Sequence, residues 1–595
     1  MLKKCSGLLL ALVVTATAAS AEERKCKVIQ FAELKVTMLG NSPTVDLKIN
    51  GVPVKFTVDS GAFYSTLNTA TARQLKLPLD ATNLQVKGVA GVADTYVTKA
   101  ETVELAGAKI ERVPFVVASF GGGTDGLLGQ NVLGIADVEY DLPHGEIRLF
   151  KPQDCGRMSM AYWANGRAVA EIPVEPRDDY QHHTIGHGIL NGKDVKVMFD
   201  TGASTSFIAL GAAARAGVRP GDPGVTDGGQ TGGIGGRLVT TYVGRFDNFS
   251  LDTEELRNVR IRFGDMDLTA DMLLGEDFFI SHRVYVSNAQ RRLFITYEGG
   301  PVFSTAARAL DRDPLTRTEK AAAAPSDSGK EPTDADGFAR RGAARLSANE
   351  TANALADLDR AVQGAPESDD YRLLRARARL VNHQPVLALT DLDTLLERHP
   401  SQAEALLLRA EIRIADSRPD LARPDLAAAD AALAPEADSR LVLGRLYAEL
   451  DAFSAANAAF SQWLKAHPDH SHRVVALAGQ CRSLAFLGLE MDRAAADCSR
   501  ALDISTRNDL ALEGRGLIRL KQGNAAMALK DLQAALQVRP KWSEALYLLG
   551  LAKQALGQTA EGRADQVTAL SNGPVLGARM KALGLETPPP RKVTP

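Results

Sequence analysis

Two alternating runs joined by Asn-Gly set the pattern of the first half of the chain. Val45, Leu47 and Ile49 alternate with polar residues, Asn50-Gly51 follows, and Val54, Phe56 and Val58 alternate on the return. A period of two predicts half-buried strands, and Asn-Gly supplies the two positive-φ residues of a tight hairpin. The arrangement recurs with Asn191-Gly192, then Val195, Val197 and Phe199. Residues 50–65 (NGVPVKFTVDSGAFYS) and 191–206 (NGKDVKVMFDTGASTS) share Asn, Gly, Val, Lys, Asp, Gly, Ala and Ser at a constant offset of 141. The pattern predicts β-structure over 27–300 as two copies of one unit, 27–152 and 165–300. Each copy brings one aspartate, Asp59 or Asp200, to the end of a buried strand.

Beyond residue 300 the period changes. Residues 302–334 are rich in Ala, Pro, Ser, Gly and charge, which predicts a linker unable to bury enough surface to order itself. From 335 to 585, Pro366, Pro400, Pro435 and Pro468 stand 34, 35 and 33 apart, with Pro540 and Gly573-Pro574 in phase. Gly516, Gly523, Ala528, Ala535 and Pro540 take the small-residue and terminator positions of one unit. Gly444, Tyr447, Ala456 and Phe460 do so in another. A period near 34 is the tetratricopeptide signature, and six or seven helical hairpins fit, with a degenerate copy at 472–508. Such a solenoid exposes a concave groove for a peptide or protein partner. The tail 586–595, with three consecutive prolines, reads like the linker. The fold class is therefore multidomain: an all-β double lobe followed by an all-α repeat solenoid.

The 595 residues carry a net charge of −3 and are 45% hydrophobic, which describes a globular chain and gives no support to nucleic-acid binding. Lys3 and Lys4, the apolar run Leu8 to Ala19 and the Ala19-Ser20-Ala21 site predict a signal peptide at 1–21. The run is short for a bilayer span, so no transmembrane segment is expected. The protein is read as exported, periplasmic or secreted. Removing the signal leaves Cys26, Cys155, Cys481 and Cys498, for which three pairings exist in an oxidising compartment. Cys26–Cys155 with Cys481–Cys498 keeps each bridge inside one domain; four unpaired thiols are the alternative.

The motifs Val58-Asp59-Ser60-Gly61-Ala62 and Phe199-Asp200-Thr201-Gly202-Ala203 resemble those of retropepsin-type aspartic peptidases. That family has a second motif, two apolar residues and a glycine, matched by Leu127-Leu128-Gly129 and Leu273-Leu274-Gly275. It also has a glycine-rich hairpin flap between the motifs. Gly232 through Gly236, including Gly233, Ile234, Gly235 and Gly236, is similar to such a flap, and Gly88 to Gly91 is a weaker counterpart. The resemblance covers about 30–300 and implies two fused lobes, as in pepsin-like enzymes. It also implies a catalytic pair, Asp59 and Asp200, and a cross-loop bond from the Ser60 and Thr201 hydroxyls. Two close carboxylates cannot both ionise easily, so the pair holds one proton: the ionised member is general base to a water and the other polarises a carbonyl.

Metal ligation by His182, His183 and His187 is disfavoured beside a solvated strand edge, because no Cys or carboxylate accompanies them at ligand spacing. Asp265, Asp267 and Asp271 lack the glycine and glutamate of a calcium loop and read as exposed loop acids. The glycine run at 232–236 lacks the Lys-Ser or Lys-Thr of a phosphate loop. Neither metal nor cofactor is expected. The sequence thus favours an aspartic-type endopeptidase of extended polypeptides, with repeats that bind a protein. Two alternatives stand beside it: a silent protease-like scaffold serving a repeat adaptor, and an active site formed between two chains. The oligomeric state stays open.

Overall fold

The Asn-Gly hairpins form as the alternation predicts. Asn50 and Gly51 take φ of 51° and 80°, and Asn191 and Gly192 take 46° and 73°. Both residues of each turn thus occupy the left-handed region that a tight hairpin requires. A computed structural model describes residues 26–585, except 83, 85, 89–90, 94, 121–122, 177–182, 233–237, 267–268, 304–330, 469, 471 and 574. The signal segment 1–21, most of the linker, the tail 586–595, His182, Asp267 and the flap residues Gly233, Ile234, Gly235 and Gly236 lie outside the described residues.

In the first lobe the strands are β1 (Lys27–Lys35), β2 (Thr37–Leu39), β3 (Ser42–Ile49), β4 (Val52–Val58), β5 (Thr66–Asn68), β6 (Asp80–Ala81), β7 (Val86–Gly88), β8 (Gly91–Ala93), β9 (Tyr96–Leu105), β10 (Ala108–Ala118), β11 (Gly126–Leu128), β12 (Asp137–Asp141) and β13 (Glu146–Gln153). Short helices α1 (Thr69–Gln74) and α2 (Gln130–Leu133) follow β5 and β11. The sheet runs β3-β4-β11-β5-β10-β9 and closes through a β9–β3 pairing, so six strands form a barrel. Its interior takes Val45, Leu47, Ile49, Phe56 and Val58, the apolar set of the alternation.

The second lobe repeats this with β14 (Ala170–Pro173), β15 (Thr184–Leu190), β16 (Lys193–Phe199), β17 (Phe207–Ala209), β18 (Thr226–Thr231), β19 (Val239–Leu251), β20 (Glu254–Gly264), β21 (Met272–Leu274), β22 (His282–Ser287) and β23 (Arg292–Tyr297), with α3 (Leu210–Arg215) and α4 (Glu276–Phe279). Its ring is β15-β16-β21-β17-β20-β19, closed by β15–β19. The lobes join in a third sheet, β1-β13-β12-β22-β23-β14, where β12 meets β22 antiparallel. Glu139 pairs with Tyr285 there, at the 146 offset that relates Leu127 to Leu273. Equivalent residues of the two copies face each other, so the pseudo-twofold axis passes through this pair.

Two features differ from the sequence reading. The connector near 152–165 is not a bare boundary: Met160 and Trp163 pack with Phe150, Tyr285 and Phe294 on the joining sheet. The Trp163 indole donates to Thr296 Oγ1 at 2.7 Å. The linker also starts later than expected, because Phe303 is buried against Phe249 and Phe278. Cys26 bridges Cys155, tying the start of β1 to the end of β13, and Cys481 bridges Cys498.

Fifteen helices make up the described part of the solenoid, from Ala335–Ser347 to Leu576–Ala582. Small residues mark close helix approaches, as at Gly444 against Phe460 and Gly516 against Leu532. A charge pattern of the same period went unread in the sequence. Arg341, Arg375, Arg409 and Arg515 each reach the aspartate 16 residues on (Asp357, Asp391, Asp425 and Asp531) with paired N–H donors at 2.6 to 3.1 Å. A second arginine one turn later (Arg345, Arg379, Arg413 or Arg519) donates to the same carboxylate at 2.5 to 2.7 Å. Each triad joins the two helices of one repeat. In the degenerate copy Cys481 stands 34 residues before Arg515, and its bridge to Cys498 joins the helices where the other repeats use charge.

The array also leans on the β-domain. Ala343 and Ala344 of its first helix and Ala348 just after it are part of the lobes' apolar core, and the Ser347 hydroxyl donates to the Gly40 carbonyl. Removing Asp425 takes the shared acceptor from two partly buried guanidinium groups, leaving Arg409 only Asp393 and Arg413 only the Leu421 carbonyl. Asp425→Ala is expected to destabilise the array by about 1–3 kcal/mol, read as a lowered midpoint of helical signal in urea. Asp420→Ala, on an exposed pair, is expected to change the midpoint little.

Candidate active site

Each aspartate follows a central barrel strand, and each is fixed by the strand beside it. β11 runs parallel to β4 with Leu128 opposite Val58, and β21 runs parallel to β16 with Leu274 opposite Phe199. The Asp59 amide donates to Leu128 O at 3.0 Å and the Asp200 amide to Leu274 O at 2.9 Å. The apolar-apolar-Gly motifs thus hold the aspartate loops from below. Their glycines are required by space: a Cβ on Gly129 would lie 2.9 Å from Ala62 O, and one on Gly275 2.6 Å from Ala203 O.

The two loops grip each other across the axis. Ser60 N–H donates to Thr201 Oγ1 at 3.0 Å and Thr201 N–H to Ser60 Oγ at 3.0 Å. Each hydroxyl then donates onward into the opposite strand end, Ser60 Oγ to Phe199 O at 3.1 Å and Thr201 Oγ1 to Val58 O at 2.8 Å. Both side chains are buried. All four bonds cross between lobes, so one loop cannot shift without breaking the other's.

The carboxyls themselves face each other over glycine backbone. Asp59 Oδ1 accepts from Gly61 N–H at 2.9 Å and Ala62 N–H at 2.8 Å; Asp200 Oδ1 accepts from Gly202 N–H at 2.9 Å. Gly61 N–H also reaches Asp200 Oδ1 at 3.2 Å, so one donor stands between the two groups. A Cβ on Gly61 would fall 2.4 Å from the Asp200 carboxyl carbon, and one on Gly202 2.2 Å from that of Asp59. Only glycine permits this approach. Burial pushes Asp59 well above the ordinary carboxylate range, and the charge of Asp200 pushes it the same way. Burial raises Asp200 too, against the pull of the Gly202 amide. The pair therefore keeps a proton to higher pH than a free carboxyl does, and that titration belongs to both groups together. Both residues are partly buried.

The structure surrounds this centre with partners that the motif reading missed. Ser65 and Ser206 hydroxyls accept from the Gly129 and Gly275 amides, both at 3.0 Å. Asn131 Oδ1 holds the Ser65 amide at 2.7 Å, and Asp277 Oδ1 holds that of Ser206 at 2.7 Å. Gln130 Nε2 donates to Ser60 O at 2.7 Å. Asp125 Oδ2 accepts from Lys55 N–H at 2.8 Å, and Asp271 Oδ2 from Lys196 N–H at 3.2 Å. Asp271 is thus a half-buried strand clamp rather than an exposed loop acid. The signal was present: DGLLGQN at 125–131 and DMLLGED at 271–277 repeat as whole heptads. The copies differ just after the aspartate loops, where Phe63 and Tyr64 in the first lobe stand where the second has Ser204 and Thr205.

Both lobes match a family model. The model, described as aspartyl protease, covers residues 45–132 and 187–278. These aspartyl-protease-like lobes are thus matched over their barrels, and the joining sheet lies outside the match. No curated protein matches the chain. Among solved structures, a tetratricopeptide repeat protein from Parabacteroides merdae is 18% identical, covering 42% of this chain and 98% of its own, at a TM-score of 0.33. The APC/C hetero-tetramer Cut9-Hcn1 is 17% identical at a TM-score of 0.31, with 38% of this chain and 43% of that one covered. This chain therefore spans less than half of that structure's length.

Of the remaining sequence candidates, His183 lies near the centre, where its charge acts to lower Asp200; the others are dispersed. Gly88 and Gly91 pair across the short β7–β8 hairpin. His187 is exposed, with Glu175 at 3.2 Å and Asp194 at 3.3 Å. Among the described residues no three His, Cys, Asp or Glu side chains gather as a metal site, and no helix is long and apolar enough to cross a membrane.

Two measurements probe the centre without substrate. Thr201→Val removes both the acceptor for Ser60 N–H and the donor to Val58 O. It is expected to cost about 2–3 kcal/mol of β-domain stability, with Thr201→Ser recovering most of it in the same denaturant titration. For the carboxyls, folded-state values lie above the ordinary ones. The wild-type β-domain is therefore expected to lose stability as pH rises from about 4 through the folded value. Asp59→Asn should accordingly melt higher than wild type at neutral pH and close to it near pH 4, as followed by thermal scans at both values.

Proposed function

We propose that this chain is an exported aspartic-type endopeptidase that hydrolyses polypeptides between its two lobes, with the repeat array as a protein-binding arm. The observation that carries the reading is the facing pair Asp59 and Asp200, one from each copy, about a single shared amide donor. A buried pair that holds one proton has the two species peptide hydrolysis needs. The ionised carboxyl takes a proton from a water lying between the groups, and that water attacks the scissile carbonyl carbon. The protonated carboxyl gives its proton to the carbonyl oxygen, forming a gem-diol. Collapse returns a proton to the leaving nitrogen and restores the singly protonated pair.

In this reading Ser60 and Thr201 are positioning residues that hold the loops in register, and Gly61, Ala62, Gly202 and Ala203 provide the backbone around the carboxyls. Leu127, Leu128, Gly129, Leu273, Leu274 and Gly275 support the loops. The glycine-rich hairpins, with Gly88 and Gly91 in one lobe and Gly233 to Gly236 in the other, cover an extended substrate. No metal or organic cofactor takes part. Two disulfides are consistent with an oxidising, extracytoplasmic location. The four bonds between the Ser60 and Thr201 loops favour an active site within one chain.

The test is cleavage of an unfolded protein across about pH 3 to 8 by the mature chain. Wild type is expected to cleave best on the acidic side, where the pair holds one proton. Asp59→Asn and Asp200→Asn are each expected to lose about 10³-fold or more in kcat/KM. Cleavage by either variant at the wild-type rate, or no cleavage by wild type, rejects the enzyme. Specific activity that falls on dilution would instead point to a site between chains.

A further inference from the structure

The two copies place different side chains beside their aspartates. β15 pairs with β16 antiparallel, with Thr184 opposite Phe199 and Ile185 opposite Met198. One step further, that register sets His183 opposite Asp200, and opposite residues of an antiparallel pair share one face of the sheet. In the first lobe β3 pairs with β4, with Thr44 opposite Thr57. Continued to the aspartate, this register sets Ser42 opposite Asp59. Ser42 and His183 are related by the same offset of 141 as the two aspartates. Both residues are partly buried. One carboxyl therefore has an imidazole for a neighbour and the other a hydroxyl.

The field across the pair follows this difference. The charge of His183 acts to lower Asp200, while the charge of Asp200 pushes Asp59 up. The hydrogen bond between the two carboxyls works in the same sense, raising Asp59 and lowering Asp200. Along the face that carries His183, Ile185 and Met198 pack with Phe207, Ala270 and Leu273 in an apolar layer. One rung beyond it, His187, Lys196, Glu175 and Asp194 pair with one another, so their charges balance locally. On the segment packed against the layer, Asp265 is exposed and Asp271 pairs with Arg215. A free imidazole titrates near about 6.5 and a free carboxyl near about 4. At the acidic pH where the dyad holds one proton, His183 is thus a cation beside Asp200.

We propose that His183 is a positioning residue that breaks the symmetry of the dyad, placing its negative charge on Asp200 and its proton on Asp59. The titration as a whole still belongs to both groups; what becomes unequal is where the single proton rests. The consequence for chemistry rests on the peptidase reading and assigns the roles within it. Asp200 takes a proton from the water, whose oxygen bonds to the scissile carbonyl carbon, and Asp59 gives its proton to the carbonyl oxygen. On collapse Asp59 recovers a proton from a hydroxyl of the gem-diol, and Asp200 gives its own to the leaving nitrogen as the C–N bond breaks. The cycle ends as it began, with Asp200 ionised.

The first arm of the experiment needs no substrate. In the mature full chain labelled at histidine Cε1, the His183 resonance is assigned by its loss in His183→Gln and titrated by NMR. Its midpoint is expected to fall by about one pH unit in Asp200→Asn and to stay in place or rise in Asp59→Asn. An equal midpoint in wild type and Asp200→Asn, or an equal fall in both variants, overturns the proposal. The second arm is the pH profile of cleavage of an unfolded protein. In His183→Gln the acidic limb of kcat/KM is expected to move to higher pH, with about a three- to tenfold loss near pH 4 carried by kcat rather than KM. His183→Lys, which restores a cation, is expected to recover the limb, as a merely structural role would not. An active wild type whose acidic limb is unmoved in His183→Gln also overturns the proposal. No cleavage by wild type rejects the peptidase reading, and the histidine titration then decides the placement of the proton by itself.

Discussion

The reciprocal bonds between Ser60 and Thr201 are the constraint on which the rest of the β-domain turns. Two aspartates on separate barrels approach only if something cancels the cost of bringing their loops together. Four buried hydrogen bonds do this, and each ends on the other lobe's backbone. At the opposite pole of the axis, β12 and β22 pair through the equivalent residues Glu139 and Tyr285. The lobes are thus pinned at both ends of one line. The carboxyls sit near its upper end, where a small rotation of either barrel would separate them.

A second layer of charge supports the lower pole. Glu139 and Asp141 are buried and share Arg148 and Arg283, one from each lobe. Burial works to raise Asp141, but the charges of His144, Arg283 and Arg148 hold it well below the usual carboxylate range. The two poles therefore use buried acids in opposite ways. Below, arginines pair with both acids and hold Asp141 ionised; above, no arginine among the described residues pairs with the dyad, and burial makes it keep a proton instead. That contrast is what separates an acid that braces a structure from one poised to exchange a proton.

Much of this was legible in the sequence, for identifiable reasons. Alternation fixed the faces of β3 and β4 because one face is buried, and Asn50-Gly51 fixed their register. The duplication revealed the aspartates because both copies must present the same loop to the axis. Proline spacing exposed the solenoid because every hairpin ends alike. The bonds of Gln130, Asn131 and Asp277 were hidden, since a polar side chain in a loop carries no periodic signal. Repetition of their heptad was the one available sign. The arginine triads escaped for the same reason: Arg and Asp are common on exposed helix faces, and only their 16- and 34-residue spacings distinguish a buried joint. No sequence pattern pointed to the contact between array and hairpin, because Asp227 and Arg507 lie 280 residues apart.

Where the copies differ is itself informative. The offset between lobes is 141 at Leu67 and Ile208, on β5 and β17, and 146 at Leu105 and Leu251, at the ends of β9 and β19. The five additional residues of the second copy fall in the loop between Val218 and Thr226, before β18: Leu77 and Val218 are still 141 apart, whereas Asp80 and Thr226, paired with Val97 and Val243, are 146 apart. In the first lobe the hairpin that follows is the separate short pair β7–β8; in the second, β18 and β19 form a longer ribbon continuous with the barrel. Loops and second motifs, which the axis requires to match, kept their form, whereas the hairpins were free to diverge. The β18–β19 ribbon is the one that reaches Ser505 and Arg507.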